Sequence, residues 1–205
     1  SLYELMQTRK ANKPNIRVFD PAAEADGWTA PHTVVQIVND DMPFLVDTVS
    51  LMLAEAGMTV HMLLHPVLLV TRDARGNLTA IGQGKLESLM HVEIDRLPDA
   101  ASAKQLVETL REALDEVRAS VTDWSAMRNK MLAIADDLHR RKMPVDATLR
   151  AESEEFLRWA AGDHFTFLGY REYDVVRHKK QDLMDTVTGS ALGCRGGYLP
   201  EYPPP

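Results

Sequence analysis

The chain has one cysteine, Cys194, so it has no internal disulfide, and a reducing, cytoplasmic setting is expected. It has no basic excess either. A formal net charge of -7 argues against nucleic-acid binding, which needs clustered Lys and Arg to neutralise phosphates. The one basic cluster, Arg140-Arg141-Lys142, falls at the end of an expected helix, where it complements the helix dipole. No apolar run approaches the roughly 20 residues that cross a membrane, and the N-terminus carries no signal-peptide pattern. Neither a nucleic acid nor a membrane is an expected partner. Catalytic fingerprints are also missing: there is no G-x-G-x-x-G, no G-x-S-x-G and no paired Cys or His set of zinc type. Gly193-Cys194-Arg195-Gly196-Gly197 is rich in glycine but lacks the lysine and hydroxyl of a phosphate-cradling loop.

What is present is an ordinary globular composition, 45% hydrophobic and 26% charged, long enough to bury a real core. The chain opens on Ser1 and closes on Tyr202-Pro203-Pro204-Pro205, which reads as a piece of something longer. Residues 1–31 are expected to form an arm with a short strand over 15–20. A strand over 33–38 and a helix over 43–56 follow; Leu45, Val49, Met52 and Leu53 recur at helical spacing and Gly57 stops the helix. Residues 59–72 are too apolar and β-branched for a loop, and Pro66 places them at an edge or a bulge. Asp73-Ala74-Arg75-Gly76-Asn77 is a turn. In 88–95, Met90, Val92 and Ile94 alternate with Leu89, His91 and Glu93, as a strand requires.

The clearest helix carries Leu106, Leu110, Leu114, Val117, Val121 and Trp124 at spacings of four and three. A further helix bears Met127, Met131, Ile134 and Leu138, and another amphipathic stretch covers 149–161. Residues 164–176, with Phe165, Phe167, Tyr170 and Tyr173, read as a late strand. The order predicts an α+β fold: a ferredoxin-like β-α-β-β-α-β core, an antiparallel sheet with helices on one face and a helical insertion before the last strand. Residues 32–177 would form that domain, with the insertion at about 125–162. Residues 178–205 would be a loose linker.

The most informative stretch is Val34 to Asp47. A β-branched strand runs through Asn39, Asp40, Asp41, Met42, Pro43 and Phe44 into the first helix. Such a junction aims backbone N–H groups at one spot, where a small anionic ligand can sit. Asp40, Asp41 and Asp47 invite a reading as a metal or acid–base cluster, but turn formation and capping account for Asp40 and Asp41, with Asp41 as the expected helix cap. His61 and His65 share a strand face roughly 13 Å apart, too far to grip one ion, and with His91 they are expected as hydrogen-bonding side chains. The frequent methionines, Met52, Met58, Met62 and Met90 among them, fill gaps on core faces. No metal site and no catalytic residue is expected.

Four blocks in order resemble one family: Asn39-Asp40-Asp41-Met42-Pro43-Phe44-Leu45-Val46-Asp47-Thr48-Val49, His61-Met62-Leu63-Leu64-His65-Pro66-Val67, Glu87-Ser88-Leu89-Met90-His91-Val92-Glu93-Ile94-Asp95 and Asp163-His164-Phe165-Thr166-Phe167-Leu168-Gly169-Tyr170-Arg171-Glu172-Tyr173. They resemble the N-terminal region of the large bacterial NAD-specific glutamate dehydrogenases. The resemblance implies a parent enzyme that converts L-glutamate, NAD and water to 2-oxoglutarate, ammonium and NADH. This segment would be its first ACT-like module, without cofactor or catalytic residues of its own. ACT domains often bind amino acids at the first strand–helix turn, here Asn39 to Phe44, where many carry a glycine at the position of Phe44. Three roles follow. The first is a non-catalytic module for homo-oligomer assembly and for positioning downstream domains of the same chain. The second is a sensor of an amino-acid effector. The third, from another class, is an independent small enzyme using Asp40, Asp41 and His61.

Overall fold

The computed structural model describes residues 1–142, 144–177 and 182–194. Two compact units divide the chain, Ser1–Asp115 and Glu116–Pro205. The division differs from the expected limits at 31 and 177, because residues 1–31 are built into the first unit and the boundary falls inside a helix.

In the first unit, in chain order, are α1 (Leu2–Met6), β1 (Asn15–Phe19), α2 (Ala23–Asp26), β2 (Thr33–Asp40), α3 (Leu45–Glu55), β3 (Val60–Leu64), β4 (Val67–Arg72), β5 (Leu78–Ile81) and β6 (Lys85–Ile94). α4 (Ala100–Arg140) follows and continues into the second unit. The strands make one six-stranded sheet in the order β1-β2-β6-β4-β5, with β3 also on β6. Every pairing is antiparallel. Pro66 interrupts what would be one strand, so β3 pairs with the C-terminal half of β6 (Leu63↔Val92) and β4 with its N-terminal half (Leu69↔Leu86).

Alternation sorts the side chains onto two faces. One face buries Val35, Ile37, Met90, Val92 and Ile94, and the buried stripes of α3 (Leu45, Val49, Met52, Leu53) and early α4 (Leu106, Leu110, Leu114) supply its helical layer. On the other face Val38, Val70 and Leu89 cluster with Met6, while Leu2 and Leu5 of α1 pack around them. α1 is short but held by a capping box, Ser1 accepting from Glu4 and Glu4 returning to Ser1.

Two expectations change. The helices expected over 106–124 and 127–138 are one 41-residue helix, α4, because no glycine or proline interrupts 100–140. More important, the late strand does not join the Val34 sheet. The edge beside β2 is taken by β1, through Asn15↔Val38 to Phe19↔Val34. Residues 164–176 instead give two short strands, β7 (Gly169–Tyr170) and β8 (Tyr173–Arg177).

In the second unit, α5 (Ala147–Trp159) is capped by Asp146, which accepts from Thr148 N and Leu149 N. It runs into a π-helical turn, Ala160–His164, that ends where Asp163 takes φ 64. Ion pairs Arg158–Asp136 and His139–Glu154 tie α5 to the last turns of α4. β8 pairs with β9 (Asp182–Thr186), and β7 with β10 (Leu192–Gly193). The stretch expected as a loose linker therefore contains two paired strands; its residues 178–181 and 195–205 lie outside the described residues.

Candidate functional site

The strand–helix turn differs from expectation in its cap. α3 begins at Leu45, and the capping position is Phe44, with φ 69 and ψ 4 and no side-chain cap. Thr48 N donates to Phe44 O at 2.9 Å. Asp41 is therefore not the helix cap: it sits three residues too early. It is exposed, and its backbone N–H donates to Leu86 O at 3.2 Å, which holds the turn to β6 instead. Phe44 thus takes the left-handed backbone that glycine favours, which costs an L-residue roughly 1–2 kcal/mol. Its ring is 47% exposed. Of the other residues in the turn, Asn39 is buried within β2, while Met42 is half-buried and Pro43 exposed.

Asp40 closes β2 and enters an ion network that sequence reading did not anticipate. Arg9, only 4% exposed, donates from Nη2 to Asp40 Oδ1 and to Glu87 Oε1, both at 2.6 Å. Its Nη1 reaches Lys13 O at 3.1 Å. Arg72 grips Glu87 with a fork, Nε to Oε1 at 2.7 Å and Nη2 to Oε2 at 2.8 Å. Burial pushes the Glu87 carboxyl up, but the hydrogen bonds and charges of Arg72 and Arg9 outweigh it and hold the group below its ordinary 4.5. A bidentate guanidinium fork adds two charge-assisted hydrogen bonds in a fixed geometry, which a buried carboxylate needs to offset its lost hydration. Glu87 alternates with buried Ser88 and exposed Leu86, and nothing in that pattern marks it as paired.

The histidines separate. His61 Nε2 lies 2.8 Å from Asp95 Oδ1, His65 meets the Ser88 hydroxyl, and His91 faces Gln36 at 3.3 Å. Each thus has its own partner, and the Asp40–Asp41–His61 grouping of an independent enzyme is not assembled by these bonds. Among the described residues no group of three or more His, Cys, Asp or Glu is arranged to hold a metal ion. No helix among them is long and apolar enough to cross a membrane. Cys194 Sγ sits 3.0 Å from Ser120 Oγ, and burial pushes its thiol up, away from reactive thiolate. Of the glycine-rich stretch, Arg195, Gly196 and Gly197 lie outside the described residues.

The family described as glutamate dehydrogenase, ACT1 domain, matches residues 1–110. The chain belongs to that family. The ACT1 match takes in all six strands of the large sheet, α1 to α3 and the start of α4. The chain is 36% identical to an NAD-specific glutamate dehydrogenase of Halomonas elongata, over 98% of its own length and 13% of the relative's. It is 38% identical to one of Pseudomonas aeruginosa, over 86% of the chain and 11% of that protein. A Mycobacterium tuberculosis protein of the same name is 25% identical over 85% of the chain. The chain thus spans between a tenth and a seventh of the length of these relatives.

Proposed function

We propose that this ACT1 chain is the non-catalytic N-terminal module of an NAD-specific glutamate dehydrogenase, serving oligomer assembly and the positioning of a downstream catalytic domain in the cytoplasm. The parent would oxidise L-glutamate to 2-oxoglutarate and ammonium with NAD. The observation that carries this reading is the ACT1 match over 1–110 in a chain similar to so small a part of its relatives. The ferredoxin-like plan supports it if β1 is counted as the strand beside β2 that the late segment was expected to supply. Assembly is favoured by an apolar strip on the sheet: the cross-strand partners Leu69 and Leu86, with Val67, are all exposed.

Effector sensing at Asn39 to Phe44 is the second reading, and the left-handed Phe44 is the observation that favours it, since backbone strain collects at ligand-binding turns. Sedimentation velocity and calorimetry separate the two. Assembly predicts self-association that Leu69→Asp with Leu86→Asp abolishes, and no saturable heat with glutamate or other amino acids. Saturable amino-acid binding lost in a variant of the turn replaces assembly with sensing. NADH formation from glutamate and NAD above a boiled control would overturn both.

A further inference from the structure

We propose that a cleft on the sheet face opposite α3 and α4 binds a small organic anion carrying two or more closely spaced negative charges. The cleft lies entirely in the first unit. Its walls are residues 9–12, the β4–β5 turn from Arg72 to Gly76, and Gly84 with Lys85 at the start of β6. It encloses about 580 Å³, within the range of small-molecule sites.

The charge around it is lopsided. Five cationic side chains line it (Arg9, Lys10, Arg72, Arg75 and Lys85) against three acidic ones, Asp40, Asp73 and Glu87. The acidic groups are already satisfied. Glu87 is held by Arg9 and Arg72, and Asp40 by Arg9. Asp73 accepts the N–H groups of Arg75 and Asn77 and the Asn77 amide. Lys10, Arg75 and Lys85 are exposed and have no ion pair or side-chain hydrogen bond among the described residues. Three separate segments of a chain with net charge -7 thus bring uncompensated cations to one concavity.

The walls are preorganised. Gly76 has φ +88, and a Cβ there would lie 2.2 Å from Arg9 O; Gly84 has φ +104, and its Cβ would meet Val70 O at 2.2 Å. Both turns therefore need glycine, and Arg9 N donating to Gly76 O at 3.0 Å locks two walls together. A monovalent anion would engage one cation and be screened by salt, whereas a polyanion can span three. Organic phosphates and polycarboxylates share this chemistry.

Calorimetric titration of the 205-residue chain with pyrophosphate, with citrate and with acetate as the monovalent control tests the site. Saturable one-to-one binding of pyrophosphate or citrate, weakened at least about tenfold in Lys10→Ala/Arg75→Ala/Lys85→Ala, supports it, and which anion binds names the ligand's class. A second readout needs no variant: the bound anion should protect the Lys10 and Lys85 amines from acylation, read by peptide mass spectrometry. No saturable binding of either polyanion at millimolar concentration overturns the proposal. So does unchanged affinity in the triple variant, or unprotected amines at saturation.

Discussion

Glu87 Oε1 and Arg9 Nη2 lie 2.6 Å apart although 78 positions of chain separate them. Both side chains are almost wholly buried, at 3% and 4% exposure. The bond fastens the first residues of the chain to the central strand β6. Glu87→Ala removes the anion, leaving Arg72 without its carboxylate and Arg9 with Asp40 alone, so it should cost about 3 kcal/mol, the usual penalty for breaking a buried pair. Urea unfolding of the two proteins measures it.

The same carboxylate sets an acid limit. Its folded value is held below the ordinary 4.5, so its contribution is complete above that pH and is lost as pH falls through the folded value. Wild type should therefore lose more stability than Glu87→Gln between neutral and acid pH. Parallel stability–pH curves would contradict this.

Phe44→Gly should be more stable than Phe44→Ala by about 1 kcal/mol, because glycine enters φ +69 without the steric cost an L-residue bears. Both variants lose the same half-buried ring, so the difference between them isolates the backbone strain. Thermal melting checks the sign. Calorimetry on Phe44→Gly asks whether removing the ring admits an amino acid at the turn.

Asp95 lies at the end of β6 and accepts from Thr59 N at 2.9 Å and pairs with His61. The Thr59 backbone and side chain, then His61, hold its carboxyl at about 2, below the ordinary 3.8. A depressed acid stabilises above its unfolded value, so the contribution stands above pH 3.8 and disappears as pH falls towards 2. The stability difference between wild type and Asp95→Asn should be flat at higher pH and shrink through that window.

Leu110 is fully buried in the helical layer of the first unit. Leu110→Ala should cost about 3 kcal/mol, the sum of lost transfer energy and an imperfectly filled cavity. Chemical denaturation reads it, and a cost under about 1 kcal/mol would mean that α4 does not seal the sheet.

Much of the first unit is legible in the sequence because burial imposes a period. Met90, Val92 and Ile94 alternate, Leu106, Leu110 and Leu114 recur every four, and all six are buried. Neighbour choice leaves no such trace. Ile16 and Val18 on β1 and the aromatics of 165–173 suit the same sheet edge equally well, and the short connection from β1 to β2 wins. The candidate turn is visible as a change from β-branched to acidic residues, but its cap is not, since no propensity places phenylalanine at positive φ. The Arg9–Glu87–Arg72 network is invisible for a related reason: charged residues among exposed neighbours look solvated until the fold brings them together.

That β1 rather than a late segment closes the sheet has a consequence for synthesis. All six strands lie between Asn15 and Ile94. On a ribosome every strand of the ladder has therefore been synthesised before the second unit is begun, and no unpaired edge beside β2 must wait for distant residues. A chain whose fourth strand came from 165–173 would expose that edge while some seventy further residues were made, at about 5–20 residues per second. Placing the closing strand first shortens the time in which nascent chains could pair through it.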